Sequence, residues 1–219
     1  NQLTGDIPPQ LGSLSALIDL RLFNNQLSGA VPIEFGDLAA LNYIFLHENQ
    51  LTDLPDLSGL SSLISFRVEN NHLTFEDIEP NIGIANFTYT PQDSVGVAQS
   101  LFLQTSSSTS LETNVGGTAN QYQWLKNGTV IAGATGATYP LINPSFDDEG
   151  VYTFRVTNTL APALTLQGRP VSIKVSSLQR DSIALRAFYN ATGGPSWVNQ
   201  TGWTTDPLTP GAWHGVTLN

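Results

Sequence analysis

The sequence predicts a mainly β protein in three segments, and three observations point to it. Leucine is crowded into positions 1–80, which hold 16 of the 28, and a short motif recurs there at a nearly constant interval. From Asn86 to about Ser176 the pattern changes to short runs of period 2 between turn clusters. The last stretch opens with helical spacing and then carries Trp197, Trp203 and Trp213 close together. The expected boundaries are 1–84, 85–176 and 177–219.

In the first segment Asn1, Asn25, Asn49 and Asn71 are each followed two residues later by Leu3, Leu27, Leu51 and Leu73. The frames before them, Leu20-x-Leu22, Ile44-x-Leu46 and Phe66-x-Val68, alternate as short strands do. A unit this short cannot bury its own apolar face. Stacked neighbours create a continuous core, and an inward asparagine satisfies backbone groups at each turn. The stretches "NQLTGDIPPQLGSL" and "NQLSGAVPIEFGDL" resemble the plant-type leucine-rich repeat, with its Asn-x-Leu-x-Gly-x-Ile-Pro signature. The resemblance covers 1–74 and implies a leucine-rich-repeat solenoid. The third copy has Asp53 where the signature has glycine and is two residues short, and the fourth gives way to "FEDIEPNIGI". The solenoid is therefore expected to end near Ile84.

The middle segment has turn clusters at "NVGGTANQ", "KNG" and "GATGAT", which predicts an antiparallel sandwich. "YQWLKNG" and "DDEGVYTFRV" resemble an immunoglobulin-like β-sandwich. The resemblance makes Trp124 the strand C tryptophan and Tyr152 the tyrosine corner, its hydroxyl bonded to backbone upstream. Phe154 stands where the second cysteine would be, and Leu101 or Leu103 is expected to be its partner on strand B. With no cysteine in the chain, this core depends on apolar burial around Trp124.

The last segment predicts a helix carrying Ile183, Leu185, Phe188 and Tyr189 behind an Asp181 or Ser182 cap. Beyond it, Trp213-His214-Gly215-Val216 resembles the closing strand of a leucine-rich-repeat N-terminal cap, without that cap's usual cysteines. Val216 and Leu218 stand at the offset of Leu20 and Leu22, so the tail reads as the strand of a repeat whose turn is missing. The head begins at that turn, with Leu3 and Ile7 open, and Asn1, which is not Met, is expected not to be the start of the protein. Leu3, Ile7, Trp213, Val216 and Leu218 are therefore expected to meet head to tail, within a longer chain or between subunits. A contact of that kind does not close on itself and gives an open array or fibre.

Composition narrows the function. Charged residues make up 12% of the chain, and Ser, Thr and Asn together number 58 of 219, so hydroxyls and amides do most of the solvating. A net charge of -10 with only eight Lys and Arg leaves no cationic surface for nucleic acid or anionic lipid. No apolar run reaches the roughly 18 residues of a membrane span. The histidines, His47, His72 and His214, accompany no Ser-His-Asp frame, nucleophile elbow or phosphate loop, so no enzyme is expected. Glu48 and Glu69 lie on adjacent predicted strands at different offsets and should diverge, unlike a glycosidase pair that faces one site. Asp147, Asp148 and Glu149 offer hard oxygens to calcium, but read better as a solvated turn before Tyr152. No other cofactor is implied.

The strand faces of the repeats carry the most information. Side chains alternating with the buried leucines fall into three columns: Asp19, Tyr43, Ser65; Arg21, Phe45, Arg67; and Phe23, His47, Glu69. Neighbours in a column lie about 4.8 Å apart, so Arg21 and Arg67 can flank Phe45 as cation–π partners. Outward aromatics beside arginine fit a partner surface, where such residues form hot spots. They fit equally an arrangement in which the rings cover one another. Asn86, Asn127, Asn190 and Asn199 stand in Asn-x-Ser/Thr acceptors. Ser94 and Ser182 stand in Asp-Ser-aliphatic triplets that resemble a bacterial O-glycosylation acceptor.

The combined resemblances are to modular secreted or cell-surface proteins of bacteria. They imply a non-enzymatic extracellular structural or adhesive protein whose partners are neighbouring copies or units, or another surface protein or glycan. A polysaccharide-binding accessory module of a secreted enzyme, with Trp203, Trp213 or the Phe45 face stacking on sugar, is the second reading. A receptor ectodomain fragment is the third.

Overall fold

A computed structural model of the chain describes residues 1–105, 107–176, 178–193 and 196, with backbone alone for 178–183. The protein is mainly β. It divides into two compact units, one of Asn1–Gln99, Leu111–Tyr139 and Val151–Val171, the other of Ser100–Ser110, Pro140–Gly150 and the described residues from Ser172 on.

In the first unit the repeats supply strands β1 (Thr4–Asp6), β2 (Asp19–Arg21), β3 (Gln26–Ala30), β4 (Tyr43–Phe45), β5 (Gln50–Asp53) and β6 (Ser65–Arg67), then helix α1 (Phe75–Ile78) and strand β7 (Phe87–Thr88). They form two parallel sheets, β1-β3-β5 and β2-β4-β6-β7. The register is the one that stacked repeats require: Asp19 opposite Tyr43 opposite Ser65, and Arg21 opposite Phe45 opposite Arg67. The alternate positions Leu20, Ile44 and Phe66 are buried, as are Leu27, Leu51, Phe35, Leu38, Leu41 and Leu57.

Two local devices allow this stacking. Asn24, Glu48 and Asn70, each one residue before a repeat asparagine, take left-handed backbone with φ of 54°, 58° and 57°. Asparagine tolerates that region better than other non-glycine residues, and glutamate does not share the advantage. At Gly12 an added Cβ would lie 2.4 Å from the Glu34 Cβ of the next repeat, so only glycine permits the approach.

The repeat asparagines point inward as expected. Asn49 Oδ1 accepts the Leu27 N–H at 3.1 Å, while its amide donates to the carbonyls of Leu22 and Leu46 at 3.0 Å each. Asn71 repeats the pattern towards Leu51, Leu46 and Val68. Gln92 then continues it, accepting from Asn71 and Leu73 N–H and donating to Val68 and Tyr89 carbonyls. With β7 paired in parallel to β6, the sheet runs past the expected end at Ile84. On the far side of the stack, buried Asp77 accepts from Leu54 and Thr74 N–H, and Asn81 bridges Leu57 N–H to the Pro55 carbonyl.

The middle region supplies β8 (Gln99–Gln104), β9 (Ser108–Glu112), β10 (Asn120–Lys126), β11 (Thr129–Val130), β12 (Thr138–Ile142), β13 (Gly150–Asn158), β14 (Thr165–Gln167) and β15 (Val171–Ser176). Strands β10 and β13 pair antiparallel with Trp124 opposite Phe154, and β14 adds to β13. Trp124, Tyr152, Phe154 and Leu166 are buried. The indole meets the Phe154 ring edge-on at 5.3 Å and donates Nε1–H to the Gly136 carbonyl. Leu101 and Leu103 are only half-buried on β8, and the buried leucine is Leu111 on β9. In both period-2 runs the leucines are the least exposed positions, but only Leu111 reaches full burial.

The Glu79 carboxylate ties the repeat end to this region. It accepts from Thr118 N–H at 2.8 Å, the Thr118 hydroxyl at 2.7 Å, Ala119 N–H at 3.2 Å and the Asn158 amide.

In the second unit α2 (Leu178–Ala191) begins at Leu178, so Asp181 and Ser182 lie within the helix and not at its cap. Tyr189 is buried, whereas Phe188 is exposed. Asn199, Trp203, Trp213, His214, Val216 and Leu218 lie outside the described residues. No described helix is long and apolar enough to cross a membrane.

Candidate recognition face

Strands β2, β4 and β6 and the residues just after them bring the three columns together. Arg21 grips Asp19 through Nε and Nη2 at 2.9 Å each, which raises its pKa above the ordinary arginine value. Arg67 grips Glu69 Oε1 through the same two nitrogens. Both guanidiniums lie over Phe45, at 5.2 and 5.9 Å from the ring centroid. Phe23 stacks on the His47 imidazole at 4.7 Å and 4°. Tyr43 and His47 meet Phe45 edge-on, each at 6.2 Å. The seven side chains Arg21, Phe23, Tyr43, Phe45, His47, Arg67 and Glu69 thus form one packed assembly.

Outward exposure is corrected at two of them. His47 and Glu69 are each only 6% exposed, because Phe23 covers the imidazole and Arg67 folds back on the carboxylate. Burial, aided by the charge of Arg67, holds the His47 pKa below the ordinary histidine value, while Glu69 and Glu48 oppose the shift. Among the described residues two buried side-chain atoms lack a hydrogen-bond partner, His47 Nδ1 and Glu69 Oε2. Glu48 is exposed at its left-handed turn, whereas Glu69 is buried.

The other candidates are dispersed. Leu3 is 52% exposed at the β1 edge and Ile7 is 3% exposed, so Ile7 is not open as expected. Leu14, Ile18 and Phe23 are exposed in that first repeat along with Leu3. Asp148 Oδ2 accepts from Ser145 N–H and hydroxyl, and Glu149 accepts from Val175 N–H. The acidic cluster therefore spends these oxygens on its own turn and strand, and no metal-holding group of three occurs among the described residues. The Asn86 amide nitrogen is engaged with the Ile64 carbonyl at 3.0 Å. Asn127 caps a turn by accepting from Val151 N–H, and Asn190 is exposed on α2. The Ser182 side chain is outside the described set. Ser94 is exposed at a cleft of about 510 Å³, lined also by His72, Asp93, Val97 and Arg169. There His72 Nε2 lies 3.5 Å from Asp93.

Sequence reasoning missed Gln92, Asp77 and Glu79. For Gln92 a signal existed, since it stands close to one repeat interval beyond Asn71. For Asp77 the Thr74-x-x-Asp77 spacing of a helix cap was a local signal, but its Leu54 partner lies 23 residues away, and for Glu79 there was none, since Thr118 lies 39 residues away in an unrelated pattern. No protein-family model matches this chain and no curated protein matches it, so its function is argued from these residues.

Proposed function

We propose that this chain is a non-enzymatic extracellular structural or adhesive protein that works by protein–protein recognition and head-to-tail assembly. In this reading 1–84, extended by β7, is a leucine-rich-repeat solenoid, the middle is an immunoglobulin-like sandwich, and 177–219 is the cap of a following solenoid. The observation that carries it is the Arg21–Phe45–Arg67 row. Two guanidiniums are hydrogen-bonded to Asp19 and Glu69 and laid across one ring, an arrangement that lowers the conformational entropy lost when a partner docks. Arginine and aromatic side chains fixed in this way are the chemistry of interface hot spots. The same row disfavours the polysaccharide reading at Phe45, because guanidinium groups already occupy the ring. Assembly is supported by exposed Leu3, Leu14 and Ile18 beside β1 and β2, each of which is the edge strand of its sheet. Edges of this kind invite a further parallel strand, and Val216 and Leu218 are the candidates to supply it.

Two measurements test the proposal. Phe45→Ala with Arg67→Ala should leave the fold intact and weaken partner binding by about 2 kcal/mol or more, as hot-spot truncations do. Unchanged affinity would remove the face from consideration. Sedimentation velocity across a concentration series should show open-ended association that Leu3→Glu abolishes. A strictly monomeric chain at all concentrations would end the assembly model.

A further inference from the structure

We propose that His47 and Glu69 form a proton-operated latch beneath the recognition face. The two are successive members of one column, each more than nine-tenths buried, and each carries one atom with no partner. Buried polar atoms are nearly always satisfied, so two orphans at successive positions of the same column call for a cause. They are complementary: Glu69 Oε2 can only accept when ionised, and His47 Nδ1 becomes an obligatory donor once the imidazole is protonated. No nitrogen of His47 lies within 4.0 Å of a Glu69 oxygen, so the latch stands open in this structure and closes by side-chain rotation.

The step is simple in its balance. One proton passes from solvent to the imidazole, no covalent bond between heavy atoms changes, and Nδ1–H then donates to Oε2. Arg67 keeps Oε1, so the carboxylate ends between two cations. Phe23, stacked face to face on the ring, gains a cation–π contact with the imidazolium. The groups that face His47 are Glu48 in its own turn, Arg67 and Glu69 from the β6 side, Phe23 from the β2 side and Phe45 beside it. Burial and Arg67 resist the proton, so the latch closes only below the ordinary histidine range. Closing it places a positive charge under the face and ties Phe23, His47 and Glu69 into one bonded row.

Nuclear magnetic resonance titration of the whole chain from about pH 8 to pH 4.5 tests this without any partner, so its failure leaves the recognition reading standing and the reverse also holds. The His47 imidazole should titrate below the usual histidine midpoint of about 6.5. The Glu69 side-chain carboxyl carbon and the Phe23 ring protons should inflect at the same midpoint. Glu69→Gln should lower that midpoint further, by on the order of one pH unit. Glu48→Gln, at an exposed position, should move it by clearly less. If Glu69→Gln does not fold, His47→Gln replaces it and should abolish the Glu69 inflection at that pH. An unmoved His47 midpoint in Glu69→Gln, a Glu69 inflection that survives His47→Gln, or silent Glu69 and Phe23 signals in the wild type would overturn the latch.

Discussion

Replacing Asn49 with alanine tests how the repeats are held together. Asn49 is buried and makes four hydrogen bonds, accepting from Leu27 N–H and donating to the carbonyls of Leu22, Leu46 and His47. The carbonyls survive its loss, because Asn25, Asn71 and the Asn24 N–H respectively also donate to them. The Leu27 N–H does not. It sits in the buried layer, and Asn49 is its acceptor, so the substitution leaves it orphaned at about 1–3 kcal/mol. Adding the net value of the lost bonds gives about 3–4 kcal/mol. Asn25→Ala is the internal control. Its Oδ1 accepts from the Leu3 N–H of an exposed residue, which water can reach, so its cost should be about 1 kcal/mol. Urea unfolding followed by far-ultraviolet circular dichroism measures both. Equal losses in the two variants, or less than about 1 kcal/mol for Asn49→Ala, would refute the argument that burial of the donor sets the cost.

Three further outcomes follow from the same geometry. Gly12→Ala should destabilise by about 1–3 kcal/mol through collision with Glu34, whereas Gly36→Ala, at the equivalent position with open space around it, should stay within about 0.5 kcal/mol; similar melting temperatures for the two would contradict the close approach. Glu48→Asn should stabilise by up to about 1 kcal/mol by relieving a left-handed residue that is exposed, and a loss of stability would show that the Glu48 side chain contributes more than its backbone costs. Burial pushes the Asp77 carboxyl up to about 6 against the hydrogen bonds from Thr74 and Leu54, with Asp53 and Glu76 adding to the rise. A raised pKa means the folded state holds the proton more tightly. The contribution is complete below the unfolded value near 4 and is lost as pH rises through about 6, a difference of about 3 kcal/mol at most. His47, with a lowered pKa, acts in the opposite sense, so the measurement is wild type against Asp77→Asn at each pH. A gap that does not shrink from pH 4 to pH 7 would show that Asp77 ionises freely.

Sequence alone determined the features that repeat along the chain. The recurrence of asparagine and leucine set the parallel stacking and the inward asparagines, and alternation set which residues share a column, including Arg21, Phe45 and Arg67. These are local properties, because side-chain direction along a strand follows from backbone geometry with period 2. Tertiary structure decided what each position meets. His47 and Glu69 share the outward column yet are buried, because Phe23 on the preceding repeat and Arg67 two residues from Glu69 settle over them. Ile7 is covered while Leu3 is not, Leu111 is buried while Leu101 and Leu103 are only half-buried, and β7 carries the sheet past Ile84. Glu79 finds Thr118 and Asn158 only once the chain has turned back on itself. Burial and hydrogen-bond partners depend on side-chain rotamers and on neighbours a whole repeat away in the chain, and a one-dimensional pattern carries the direction of a side chain but not the identity of what it touches.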